Sequence, residues 1–151
     1  MTPISQTPRT IYERAILFDT GAWEGLLDKT DQNHQAALQC FEKLRAQAPS
    51  YFYCTTLTIA ETHRRLLHKK RLGYRTAQEF LEKVFNGNTN VIRSVEEDEK
   101  VAIELLKRFY DQKLTFTDAI SMAVMKRIGI LNVFTFDRHF YLLGFQIIPS
   151  F

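Results

Sequence analysis

The chain is short of cysteine, proline and glycine, with two, four and six copies in 151 residues. Two cysteines, Cys40 and Cys54, are too few for a disulfide scaffold. Cys40 falls in a helical pattern and Cys54 in a strand-like run, so both read as reduced, buried, small apolar residues. No linker, internal repeat or low-complexity tract interrupts the sequence. No run is long and apolar enough to cross a bilayer. Met1 to Thr10 is polar, holds two prolines and lacks the apolar stretch of a secretory signal. These absences place the expected protein in the cytoplasm, with residues 1–14 as a loose leader and 15–151 as one domain.

A strong charge of one sign is also missing. Twenty basic and seventeen acidic side chains give +3, a weak pull on an anionic partner. If four acids belong to a metal site, twenty basic side chains face thirteen remaining acids, a net of +7. What the chain has in quantity is phenylalanine, with twelve copies, most of them expected in the core.

Ala15-Ile16-Leu17-Phe18 is a short apolar run that reads as a buried strand ending at Asp19. Helical spacing follows over Thr20–Lys29 and Asp31–Gln47, and Pro49 closes the next loop. Tyr51–Thr55 reads as a second strand. Thr58–Arg71 is the next helix, with Thr58 and Glu61 fitting a capping box and Gly73 ending the segment. Thr76–Phe85 is helical, Asn86-Gly87-Asn88 turns the chain, and Val91-Ile92 marks a third strand. Glu96–Tyr110 is amphipathic. Thr117–Ile128 is apolar nearly all round, which predicts burial on most faces. Val133-Phe134-Thr135 is a fourth strand, Arg138–Leu143 a short helix, and Gln146–Ile148 a last strand. Strands alternating with helices predict an α/β fold with a central, mostly parallel sheet of four to five strands.

In such sheets ligands bind beyond the carboxyl ends of the strands. Asp19 and Asp137 each follow a strand. Glu61 and Asp118 lie near the starts of helices, which begin at that same edge. All four acids are therefore expected on one rim. Two carboxylates about 5 Å apart at an effective dielectric near 20 repel by roughly 3 kcal/mol, so such a cluster calls for a cation. Oxygen ligands without a Cys or His set point to Mg²⁺ or Mn²⁺, ions suited to phosphodiester hydrolysis. Helix capping is the competing explanation for Glu61, Asp118 and Asp137 taken singly; Asp19 has less use as a cap.

Four short blocks resemble the PIN-domain family, and VapC-like toxins within it: Phe18-Asp19-Thr20, Thr58-Ile59-Ala60-Glu61, Leu114–Ala119 around Asp118, and Val133–Phe140 around Asp137. The resemblance spans roughly Ile16 to Ile148. It implies a three-layer fold and a Mg²⁺- or Mn²⁺-dependent ribonuclease whose metal-binding acids match Asp19, Glu61, Asp118 and Asp137. Thr20 and Thr135 match supporting hydroxyls. The family also implies homodimers, 5′-phosphate and 3′-hydroxyl products, and, for its toxins, a cognate antitoxin. A departure is Gly21, where the family often has Ser or Asn.

Beyond Glu61 runs His63-Arg64-Arg65-Leu66-Leu67-His68-Lys69-Lys70-Arg71. Arg64 and Arg65 stand three and four residues after the acid, so one or both are expected on its face, ready for a phosphate. Arg64 is the preferred of the two. Lys69, Lys70, Arg71 and Arg75 extend a basic track that equally suits a solvated helix face. His63, His68 and His139 make no metal-ligand spacing, and His139 is expected to be a surface or packing histidine. Two alternatives remain beside the toxin reading: a PIN nuclease of RNA processing, and a non-catalytic PIN-like module that binds RNA or protein. A phosphohydrolase of the haloacid-dehalogenase kind would need a second Asp where Gly21 stands.

Overall fold

A computed structural model describes residues 14–47, 51–70 and 72–150. The leader expected over residues 1–14 therefore lies, but for Arg14, outside the described residues, as do Pro49 and Arg71. Five strands form one sheet: β1 (Ala15–Phe18), β2 (Tyr51–Thr55), β3 (Asn90–Ile92), β4 (Asn132–Phe134) and β5 (Gln146–Ile148). Their order is β3-β2-β1-β4-β5, and every pairing is parallel rather than mostly so. The helices are α1 (Thr20–Leu27), α2 (His34–Ala46), α3 (Thr56–Leu67), α4 (Gly73–Asn86), α5 (Glu96–Arg108) and α6 (Phe116–Ile128), with 3₁₀ turns at Tyr110–Gln112 and Arg138–Leu143.

The alternation of β1 builds the layers. Ala15 and Leu17 face one side and pack with Val133, Ile147 and the buried residues of α5 and α6. Ile16 and Phe18 face the other and pack with Phe134, α1 and α2. A third cluster joins Cys54 to Ile59 and Leu66 of α3 and to Ala77, Phe80 and Val84 of α4. Phe18 sits among Trp23, Phe41, Phe52 and Phe134, with ring centroids 4.7–6.2 Å away. Both cysteines are free and buried; burial pushes the Cys40 thiol up to about 11 and Cys54 to about 12.

Helix α6 is buried continuously from Ala119 to Met125, as its sequence predicts. It lies against α5, where Arg127 closes a two-pronged ion pair on buried Asp98, Nε–Oδ1 2.8 Å and Nη2–Oδ2 2.9 Å. Asp98 also accepts from the Val95 N–H and so caps α5. Gly129 ends α6 at φ +93°, a left-handed conformation that suits glycine. Gly25 lets α1 and α2 meet closely: a Cβ there would lie 2.9 Å from the Ala37 Cβ.

Three boundaries differ from expectation. Helix α3 starts at Thr56, because Thr55 at the end of β2 caps it by accepting from the Thr58 N–H. Glu61 therefore stands in the second turn, and the Thr58–Glu61 capping box does not form. Gly73, at φ +60°, opens α4 rather than closing α3. Helix α2 begins at His34 because Asp31 spends its side chain on the Asn33 N–H in a turn.

Candidate active site

Strand order fixes where a site can form. From β1 the chain winds outward to β2 and β3, then crosses back to β4 and β5 on the opposite side. The switch point lies between β1 and β4, at whose carboxyl ends a crevice is expected. The Asp19 N–H bonds the Phe134 carbonyl (3.0 Å), one step past the Phe18–Phe134 pairing. Asp19 is thereby set beside Thr135, and Asp137 lies two residues further on.

A cavity of about 310 Å³ opens there, lined in part by Asp19, Glu61, Asp118 and Asp137. All four predicted acids thus surround one space. Asp19 is 5% exposed and its side chain does not cap α1. Instead Oδ2 accepts from the Thr135 hydroxyl at 2.8 Å. Thr135 Oγ1 also accepts from the Asp137 N–H at 3.0 Å, so one hydroxyl ties both acidic segments together. Burial raises the Asp19 carboxyl to about 7; the charges of Asp118 and Asp137 add to the rise, against the Thr135 bond. Asp118 is at N3 of α6 in a reciprocal capping box with Thr115. Its pKa is raised as well, by burial first and then by Asp137 and Glu61. Asp137 caps the 3₁₀ turn by accepting from the His139 N–H at 2.9 Å. Capping and site placement thus coincide in Asp118 and Asp137.

Glu61 is held from two sides. Thr20 Oγ1 donates to Oε2 at 3.3 Å, and Arg65 Nη2 to Oε1 at 2.9 Å. Arg65 also grips Glu24 Oε1 at 2.7 Å, while Lys69 reaches Glu24 (3.1 Å) and Asp28 (2.7 Å). An ionic ladder therefore locks α3 to α1. Arg65 lines the cavity, but Arg64, the arginine preferred from sequence, is exposed and does not. Glu24 makes the difference, since it draws Arg65 across to α1.

Sequence reasoning missed Lys113, Thr115 and Phe136 as lining residues, together with the Glu24 anchor, and discounted His139. Lys113 and Thr115 immediately precede the Asp118 block, and the left-handed Lys113 (φ +56°) marks a tight turn there. Gly21 also lines the cavity. A Cβ there would meet only Phe136, at 3.9 Å, so the missing side chain leaves room rather than relieving a clash.

Residues 16–146 match the PIN domain family. The chain belongs to that family. The 23S rRNA-specific endonuclease VapC20 of Mycobacterium tuberculosis is 30% identical to this PIN domain over 130 residues, covering 86% of this chain and 95% of that protein. The crystal structure of VapC20, described as a sarcin-ricin loop cleaving toxin, matches with a TM-score of 0.75 over the same shares of the two chains. A toxin–antitoxin complex from Klebsiella pneumoniae matches at TM-score 0.64 and 18% identity, covering 90% of this PIN domain and 98% of that chain. The last likeness is one of fold. Among the described residues no helix is long and apolar enough to cross a membrane.

Proposed function

We propose that this PIN domain is a divalent-metal-dependent endoribonuclease, the toxin of a toxin–antitoxin pair, with Asp19, Glu61, Asp118 and Asp137 as its acidic centre. The observation that carries this reading is the meeting of four carboxylates, from four chain segments, around one cavity at the switch point. Likeness to an rRNA-specific endonuclease toxin supports ribosomal RNA as the substrate class. A toxin of this kind implies a partner protein that holds it inactive.

The donor set fits a hard divalent cation. Asp19 is raised by burial and by the charges of Asp118 and Asp137, and no described cation pairs with Asp19 or Asp118. Asp19, Asp118 and Asp137 would hold Mg²⁺ or Mn²⁺ directly, and Glu61 would assist. When bound, the ion supplies positive charge for the phosphodiester and lowers the pKa of an attacking water.

The chain's own residues supply positioning. Thr135 fixes the Asp19 oxygen and the start of the Asp137 turn in one geometry. Thr20 and Arg65 fix Glu61. Arg65 and Lys113 bring cations to the cavity wall, where a backbone phosphate arrives. Hydrolysis with in-line attack leaves 5′-phosphate and 3′-hydroxyl ends.

The test is incubation of the purified chain with ribosomes, naked 23S rRNA and bulk tRNA, with Mn²⁺, with Mg²⁺ and with chelator. Cleavage of rRNA only with a metal, lost in Asp19→Asn, is expected. Cleavage that persists in chelator or in the variant refutes the acidic centre. Preferential cutting of tRNA refutes the substrate class and leaves the centre standing.

A further inference from the structure

His139 stands in an unusual relation to Asp137. Its Nδ1 lies 2.8 Å from Asp137 Oδ1, yet that nitrogen is buried and has no hydrogen-bond partner. The same Oδ1 is already engaged by the His139 backbone N–H. An unprotonated Nδ1 this close to a carboxylate oxygen is repelled by it, and a proton on that nitrogen or a metal ion shared by the two relieves the contact; leaving a buried polar atom unpaired is costly. Ligand atoms of Asp118, Asp137 and His139 all lie within 4.8 Å of one another, on the cavity wall. Two neighbouring ligands on an octahedral ion with bonds of about 2.1 Å are separated by roughly 3 Å. The His139–Asp137 contact has that spacing without being a hydrogen bond.

We propose that His139 is a nitrogen ligand of the divalent ion held by Asp118 and Asp137, and that it biases the centre toward Mn²⁺ over Mg²⁺. This rests on the metal-dependent reading above and goes beyond its all-oxygen donor set. The turn itself presents the donor. Asp137 caps the 3₁₀ helix by binding the His139 N–H, so the cap that orders the turn also delivers the imidazole beside the carboxylate. Imidazole is a softer donor than carboxylate. Mn²⁺ accepts such a ligand readily, whereas Mg²⁺ favours oxygen and water.

The experiment loads the full chain with Mn²⁺ and measures electron spin echo modulation, together with melting temperature against Mn²⁺ and Mg²⁺ concentration. His139→Gln and His139→Ala are compared; both keep the backbone N–H that caps the turn, and the ring is 30% exposed, so both should fold. The wild type is expected to show ¹⁴N coupling to Mn²⁺, and both variants to lose it. In the variants the Mn²⁺ midpoint should rise about tenfold or more, while the Mg²⁺ midpoint moves less. Mn²⁺ uptake without ¹⁴N coupling, or with equal midpoints in wild type and variants, overturns the His139 ligand and leaves the acidic centre intact. Absence of any Mn²⁺ uptake by the wild type overturns both.

Discussion

Replacing Asp19 by Asn should stabilise the metal-free protein at neutral pH while removing its response to metal. The folded carboxyl titrates near 7 against an ordinary value of 3.8, so ionisation opposes folding. The unfolded chain gives up this proton from pH 4 upward, and the native state retains it until about 7. Stability is lost as pH rises through that window and stays lost above it. A difference of 3.2 pH units at 1.36 kcal/mol each is about 4 kcal/mol at pH 7. Asn keeps the shape and an oxygen for the Thr135 hydroxyl but carries no charge. The assay is chelator-treated urea unfolding of both proteins from pH 4 to pH 8. The two should agree within about 1 kcal/mol at pH 4 and diverge in favour of Asn as the pH rises, with a melting-temperature gain of roughly 5–15 °C at pH 7. A variant no more stable than the wild type at pH 7–8, or a gap that does not widen with pH, refutes the placement of Asp19 as a buried, strained acid.

Thr135→Val, which keeps the shape but leaves Asp19 and the Asp137 N–H without their shared hydroxyl, should cost about 1–3 kcal/mol in metal-free unfolding and weaken Mn²⁺ binding. Arg65→Ala should reduce cleavage about tenfold or more, and Arg64→Ala should cost less, because only Arg65 lines the cavity; equal losses in side-by-side kinetics would reverse that assignment. Asp98→Ala should lose about 1–3 kcal/mol through its Arg127 pair and its cap on α5, measured by denaturant unfolding at pH 7. The Asp98 pKa is lowered against burial, chiefly by Arg127, so that stabilisation is whole above the ordinary carboxylate value and fades as pH falls below it. Asp28, drawn down to about 2 by Lys69 and Thr30, adds to the same acid limb between pH 4 and 2, and Asp28→Asn should flatten it in an acid titration.

Local signals carried far along this chain. An apolar run ending in Asp19, an all-round apolar α6 and an acid after each of two strands were enough to place four carboxylates on one rim, because parallel sheets put every such residue at the same edge. The start of α3 was hidden by three nearby threonines, Thr55, Thr56 and Thr58, each able to cap; β2 runs straight into the helix, and Thr55 wins. Choosing Arg65 over Arg64 required knowing that Glu24 faces α3, a contact 41 positions away in sequence. His139 has no ligand spacing in sequence because its partners are a capping aspartate in its own turn and an acid on another helix.

Thr135 completes the surroundings of Asp19 from 116 positions downstream. At roughly 5–20 residues per second, a ribosome needs about 6–23 seconds to bridge that interval. Until β4 has emerged and docked beside β1, the nascent polypeptide holds Asp19 and Glu61 without Asp118 or Asp137 in place. Truncations that stop before Asn132 should fail to assemble the four carboxylates for the same reason, so the cavity is complete only once the last eighth of the chain, Asn132 onward, has been made.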